Sequence, residues 1–233
     1  MTSLGSGTGD LRDLAEGANY LFLSYLVSFI AFIVEIAALA AAGFTGITAA
    51  IRGAPPPGIA RSVVTEVLAG IVAALVLSLV AVLLSLKGFY HLQLYDSLKY
   101  GIGYTGVKIG VAAVVLILLG ALAALASHGG SLIGVWTGAS LLIIGFIIAL
   151  VSLVFIAVAL WRLGDEEGGG LVRLGVVLWV LGIILAITRV GGLLAFIGSL
   201  LIMIGARDIR NKALARLRYA EAPMSPSGMS ANR

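Results

Sequence analysis

Long apolar runs, separated by short polar links, are the feature that most constrains this chain. A helix of about 20 apolar residues is long enough to cross a hydrocarbon layer about 30 Å thick. Such runs occupy residues 19–43, 63–86, 109–126, 138–160, 171–188 and 190–206. We therefore predict an all-α fold, an integral membrane bundle of six transmembrane helices.

The composition excludes a water-soluble fold and several kinds of chemistry. Hydrophobic residues make up 61% of the 233 residues and charged residues only 11%, whereas soluble domains are about half apolar and a quarter charged. A soluble core of this size could not bury so much apolar surface. The absence of cysteine excludes disulfides, thiolate nucleophiles and cysteine-ligated metals.

The polar segments set the domain organisation. Residues 1–18 are predicted to form a polar N-terminal tail, and 207–233 a basic amphipathic C-terminal tail with a disordered end. The run Arg52-Gly53-Ala54-Pro55-Pro56-Pro57-Gly58 predicts a loop, because three prolines cannot continue a helix. The segment Arg189-Val190-Gly191-Gly192 predicts a tight turn between two short final helices.

Basic residues predict the orientation in the membrane. With six spans, all of the 15 Lys and Arg residues except Arg52, Arg61 and Arg189 lie on the side that holds both chain ends. Because cytoplasmic segments are enriched in Lys and Arg, this asymmetry places both termini in the cytoplasm. The predicted location is the cytoplasmic (plasma) membrane.

The segment Lys87–Lys108 is the longest interior interruption of the apolar pattern. Its aromatic and charged residues from Phe89 to Tyr100 predict an interfacial helix between spans 2 and 3. The motif G-x-G-x-x-G that follows, Gly101-Ile102-Gly103-Tyr104-Thr105-Gly106, resembles a dinucleotide-binding loop. A preceding strand and an acidic residue about 20 positions further on are both missing, so a nucleotide site is not predicted.

Two interpretations of this glycine motif stay open. The glycines are interpreted as a plain turn into the third span, or as a contact for a lipid headgroup. In the second case, free N–H groups at the start of a helix would act with Lys99 and Lys108 on a phosphate.

Glu35 is the sharpest polar signal inside a predicted span. Because a charge at mid-membrane costs about 3 kcal/mol or more, such a residue is expected to face the bundle interior. The candidate intramembrane polar site consists of Glu35, Glu66, Arg189 and His128. Two roles for this site stay open: a structural hydrogen bond or ion pair, and a proton or cation relay.

No cofactor, metal or catalytic residue is predicted. His91 and His128 are the only histidines, and the six-span topology puts them on opposite faces, where they cannot share a metal. No catalytic signature is present, so an enzyme is not expected.

The basic C-terminal segment is predicted to extend the last helix along the membrane surface. Together with Lys99, Lys108 and the three glycines of the motif, its candidate lipid-headgroup contacts are Arg210, Lys212, Arg216 and Arg218. Anionic lipid attracts such residues, and nucleic-acid binding by so short a run is not expected.

Three features carry a family resemblance: the run from Lys87-Gly88-Phe89-Tyr90 through the Gly101–Gly106 motif, Arg207-Asp208 after a glycine-rich apolar span, and the short polar N-terminus. In these the chain resembles a group of uncharacterised archaeal multi-pass membrane proteins. The resemblance implies an archaeal cytoplasmic membrane and no assigned catalytic residues.

Two functions remain open from the sequence. The first is an accessory or structural bundle that contacts membrane lipids, partner membrane proteins or a second copy of itself. The second is a small transporter or channel that uses Glu35.

Overall fold

The computed structural model describes residues 7–51, 56–126, 132–185 and 189–221, all but a few of which are helical. Side chains are described for these residues except 7–9, 49–50, 56–69, 71–72, 75, 121, 124–126, 132–135 and 189. The helices are α1 (Gly7–Ile51), α2 (Pro56–Tyr95), α3 (Ser97–Ala126), α4 (Leu132–Glu166), α5 (Gly170–Ile184) and α6 (Arg189–Glu221).

The six helices form a closed ring of three hairpins. The hairpins are α1/α2, α3/α4 and α5/α6, and each packs against the next through α2 with α3 and α4 with α5. The ring closes because α6 packs against α1. As a result α1, α3 and α5 begin at the same end of the bundle at which α2, α4 and α6 end. We call this the polar end.

Five of the helices contain segments that are long and apolar enough to cross a membrane. By length and composition, these segments are Asp10–Thr48, Val76–Tyr95, Ser97–Gly120, Trp136–Glu166 and Val190–Glu221. The remaining helix, α5, has 15 residues, a length of about 22 Å at 1.5 Å per residue. The all-helical, membrane-type class is confirmed, and a sixth crossing by α5 stays a prediction.

In the structure, the segment predicted to form an interfacial helix and a glycine turn belongs to α2 and α3. Helix α2 continues without a break to Tyr95, and α3 begins at Ser97, so Asp96 alone connects them. Asp96 Oδ1 accepts the backbone N–H of Lys99 at 3.1 Å, which caps the start of α3. The turn expected at Gly101–Gly106 is wrong, because these residues lie inside α3.

The N-terminal segment is also more ordered than a polar tail. Helix α1 begins at Gly7, and Leu14, Ala15 and Ala18 are almost completely buried. At the other end of the chain, the predicted helical extension beyond Arg207 is present, since α6 runs to Glu221. The predicted disordered end lies outside the described residues.

One apolar core, located at the polar end, receives side chains from all six helices. Its largest fully buried members include Leu14, Phe89, Tyr100, Leu160 and Ile209. Leu14, Phe89, Tyr100 and Ile209 lie outside the six apolar runs, and Leu160 is the last residue of the run 138–160. The core therefore sits beside the predicted spans as well as within them.

Within the predicted spans, helices meet through small residues and serine hydroxyls. Ser24 donates to the carbonyl oxygen of Ala81 at 2.8 Å, and Ser152 donates to that of Gly106 at 2.7 Å. Both hydroxyls are buried. Large apolar side chains point outward, among them Ile36, Leu39, Leu118, Leu122, Ile143 and Phe146. Such packing is typical of helices in lipid, where small residues let backbones approach closely.

Gly175 offers a direct test of the α5/α6 packing. A Cβ at this position would lie 2.7 Å from the carbonyl oxygen of Gly198 and 2.8 Å from the backbone nitrogen of Ile202. Because neither backbone atom can move aside, we expect Gly175→Ala to destabilise the fold by about 1–3 kcal/mol. The measurement is the melting temperature in detergent micelles.

Gly192 is the matched control on α6. A Cβ there has nothing within 4 Å, so Gly192→Ala should leave the melting temperature unchanged or raise it. Equal melting temperatures for Gly175→Ala and Gly192→Ala would contradict the close approach of α5 and α6.

Candidate functional site: the polar end of the bundle

The most buried carboxylate in the described part of the chain joins three elements of the polar end. Glu167, which directly follows α4, is only 8% exposed. Its Oε1 accepts the hydroxyl of Tyr95 at 3.0 Å, and its Oε2 accepts Nη1 of Arg216 at 2.9 Å. The end of α2, the end of α4 and the exposed part of α6 are therefore held together by one side chain.

Tyr95 is kept protonated in this arrangement. Burial, followed by the hydrogen bond to Glu167, raises the pKa of Tyr95 to about 12. The phenol therefore stays protonated and donates a hydrogen bond to the carboxylate at every physiological pH. This fixed donor explains how a carboxylate tolerates a position so far from water.

A second cluster fixes the connection between α2 and α3 against the end of α4. Lys99 Nζ lies 2.7 Å from Glu166 Oε2 and 3.3 Å from Asp96 Oδ2. Arg162 donates to the carbonyl oxygen of Lys99 at 3.2 Å. Hydrogen bonds to Glu166 and then to Asp96 raise the pKa of Lys99, so its charge is maintained and balanced within the protein.

His91 ties the start of α1 to the end of α2. Its Nδ1 lies 3.0 Å from Asp13 Oδ1, and its Nε2 lies 3.6 Å from Glu16 Oε2. The ring stacks on Tyr20 with centroids 5.6 Å apart. Neither Asp13 nor Glu16 stands out in the sequence as a site residue. Their spacing of three residues places them on one helix face, but nothing local indicates a partner 78 residues away.

The α4–α5 connection is held by α6. Lys212 Nζ donates to the carbonyl oxygen of Gly168 at 3.1 Å and lies 2.7 Å from Asp208. Gly168 has φ of 67°, a left-handed conformation that glycine adopts without strain. Across the same connection Arg173 pairs with Asp165 at 2.8 Å.

Three basic side chains lie over aromatic rings around the polar end. Lys87 Nζ is 5.7 Å from the ring centroid of Tyr20, and Lys108 Nζ is 4.1 Å from that of Tyr104. Arg173 lies 4.8 Å above Trp161. Lys87 and Lys108 are exposed, and in the described part of the chain neither forms an ion pair. Tyr and Trp beside cations are typical of the membrane–water interface.

The glycines predicted to contact a lipid phosphate serve helix packing instead. A Cβ on Gly103 would lie 2.7 Å from the Cβ of Ala159, and one on Gly106 would lie 2.8 Å from the Cβ of Phe155. Both therefore let α3 approach α4 closely. Gly101 is less constrained, since its nearest neighbour would be Gln93 at 3.9 Å. All three lie inside α3 rather than at its start, so their N–H groups are not the free donors that phosphate binding requires.

The other predicted lipid contacts divide into three groups. Lys99, Lys212 and Arg216 have carboxylate partners within the protein. Lys108 points outward over Tyr104. Arg210 and Arg218 line a cleft between α1 and α6.

The candidate intramembrane polar site is not assembled by the described residues. Glu35 is exposed, and the expectation that it faces the bundle interior stays a prediction. The side chains of Glu66 and Arg189, and all of His128, lie outside the described part of the chain. An ion pair or a relay through these residues stays a prediction.

The fold and the polar end define an all-helical protein of membrane type, with a layer of ion pairs and hydrogen bonds where the ends of six helices meet. The chain belongs to the family described as "Protein of unknown function (DUF973)", whose profile matches residues 8–231. No curated protein and no solved structure matches the chain. The expected membership of an uncharacterised family is thereby confirmed, the archaeal origin stays a prediction, and the family description assigns no activity.

The Glu167 cluster generates a stability prediction. Glu167→Gln removes the charge that accepts hydrogen bonds from Tyr95 and Arg216, so we expect a loss of about 1–3 kcal/mol in unfolding free energy. Arg216→Gln alone should lower the unfolding free energy less than Glu167→Gln does, since Arg216 is half exposed. In the Glu167→Gln background it should lower that free energy little further. A double-mutant cycle in detergent, followed by thermal unfolding, measures this coupling.

Glu221→Gln is the matched control, since Glu221 is exposed. It should leave stability unchanged. Additive losses for Glu167→Gln and Arg216→Gln would contradict the proposed connection between α4 and α6.

Proposed function

We propose that this protein is a non-catalytic accessory bundle of the cytoplasmic membrane, with its polar end at the inner surface in contact with anionic lipid headgroups and partner membrane proteins. The observation that carries the proposal is the set of cations over aromatic rings, Lys87 on Tyr20 and Lys108 on Tyr104. Basic residues near an anionic leaflet each contribute about 1 kcal/mol to membrane attraction.

The pairing pattern supports this assignment. Where a basic residue lies against the neighbouring helices, a carboxylate balances it, as Glu166 balances Lys99 and Glu167 balances Arg216. Lys87 and Lys108, at the rim beside aromatic rings, have no described carboxylate partner, whereas Arg173 over Trp161 pairs with Asp165. Cations at the rim without a carboxylate partner suit a negatively charged layer around it.

The orientation follows from the same surface. Helices α1 and α6 bring the first and last described residues to the polar end, and most Lys and Arg residues lie there. The positive-inside rule then supports six crossings with both termini in the cytoplasm. The short α5 would cross as the fifth span by tilting its neighbours or thinning the bilayer locally.

The alternative of a small transporter or channel receives no support from Glu35. A relay needs a carboxyl that faces a polar path, whereas no described polar side chain pairs with the exposed Glu35. The packed polar end, with its fully buried Phe89 and Tyr100, fits a stable platform for binding better than a gated path.

Lys108→Gln tests the proposed lipid contact. We expect it to reduce the number of phosphatidylglycerol molecules that remain bound in native mass spectrometry, because the cation at the rim is lost. The matched control is Lys99→Gln on the same helix. It should change lipid retention little, since Glu166 and Asp96 already neutralise Lys99. Unchanged retention in Lys108→Gln, or an equal fall in both variants, would refute the lipid assignment.

A further inference from the structure

A cleft between α1 and α6 opens at the polar end, apart from the cations at the rim. Its volume is about 680 Å³. The lining residues come from one stripe on each helix, Arg12, Ala15, Glu16 and Asn19 on α1 and Arg210, Leu214, Leu217, Arg218 and Glu221 on α6. In both stripes each residue lies three or four positions from another member, which places the side chains along one helix face. The two faces therefore form opposite walls of one cleft.

The cleft has a membrane-side end and a water-side end. Arg210 Nη1 donates to the amide oxygen of Asn19 at 3.0 Å across the gap. These two residues are the lining members nearest to the predicted spans 19–43 and 190–206. Arg218 lies about 12 Å further along α6, and Arg12 lies at the corresponding water-side position of α1. Arginines thus stand at both ends, with Leu214 and Leu217 between them.

The charge of these arginines is poorly compensated. Arg210 is bonded to a neutral amide, and Arg218 forms no ion pair in the described part of the chain. Arg12 lies 3.4 Å from Glu16, but Glu16 also faces His91 at 3.6 Å. Lys212 on the same helix is closely paired with Asp208 at 2.7 Å. The lining also contains Glu221, so three arginines share the cleft with two carboxylates, Glu16 and Glu221, and a net positive charge remains.

From this geometry we propose that the cleft between α1 and α6 binds a ligand that carries phosphate groups, held by Arg210 at one end and by Arg218 and Arg12 at the other. Guanidinium groups bind phosphate oxygens in bidentate fashion. The separation of the arginines along the cleft suits more than one phosphate, or a phosphate joined to an apolar group that packs on Leu214 and Leu217. The ligand is either a soluble phosphate ester or a phospholipid headgroup that enters from the membrane side.

This inference goes beyond the lipid contact proposed above, because it concerns a discrete site with arginines facing each other across two helices. The two proposals can fail separately. Lys108 is not part of the cleft, so a negative result for Lys108→Gln leaves the cleft untouched, and the reverse also holds.

Two probes distinguish the sources of phosphate. The full chain in an uncharged detergent is titrated with pyrophosphate at constant ionic strength by calorimetry, and native mass spectrometry measures retention of phosphatidylglycerol against phosphatidylcholine. We expect saturable binding of one probe, weakened about tenfold or more by Arg218→Gln, since a charge-assisted contact is lost. Arg210→Gln should weaken it similarly.

Lys212→Gln is the control, because it removes the same charge from the same helix outside the cleft. It should change the binding affinity by no more than about twofold, a range that screened surface charges rarely exceed.

Pyrophosphate binding that needs Arg218 supports a soluble ligand, and selective retention of phosphatidylglycerol that needs Arg218 supports a lipid. Because Arg218 is exposed and unpaired, its variant keeps the test valid even if Arg210→Gln disturbs the Asn19 contact. Saturable binding of neither probe, or equal weakening by Lys212→Gln, overturns the proposal.

Discussion

All six helices contribute side chains to one apolar core at the polar end. Lipid tails are as apolar as leucine, so burying leucine between helices inside a membrane gains little. Apolar side chains that would otherwise meet water gain far more from burial. In the structure, Leu14, Phe89, Tyr100, Leu160 and Ile209 from five different helices meet at the polar end. This convergence determines where charged side chains can form a site.

Inside the predicted spans, other forces must hold the helices together. Every backbone polar group in lipid needs a partner within its own segment, which enforces helices. Contact between helices then depends on close approach and on hydroxyl hydrogen bonds. Ser24 and Ser152 supply the bonds, and glycines such as Gly175 supply the approach. The outward apolar surface is left to the lipid, so the binding chemistry of the molecule is concentrated at the polar end.

Local sequence patterns predicted the class of the fold, but they did not predict the contacts between residues that are distant in the sequence. Apolar runs identify helices because hydrocarbon thickness fixes their length. Glycines are ambiguous, since the same residue permits a turn or a close helix contact, and Gly103 and Gly106 serve the second role. The actual break was signalled by Asp96, a preferred helix cap. Glu167 accepts hydrogen bonds from Tyr95 and Arg216, which lie 72 and 49 residues away in the sequence. No periodic sequence pattern predicts such a pairing.

The central claim is that the first and last helices close one ring at the polar end. The chain has no cysteine, so an engineered pair at Asn19 and Arg210 gives no background in cross-linking with a short bis-maleimide. The account predicts an efficient cross-link within one chain in native membranes. It should match the reference pair Ser24 and Ser85, whose hydroxyl oxygens lie 2.6 Å apart inside the α1/α2 hairpin. A cross-link for the reference pair, with none within one chain for Asn19 and Arg210, would contradict the closed ring.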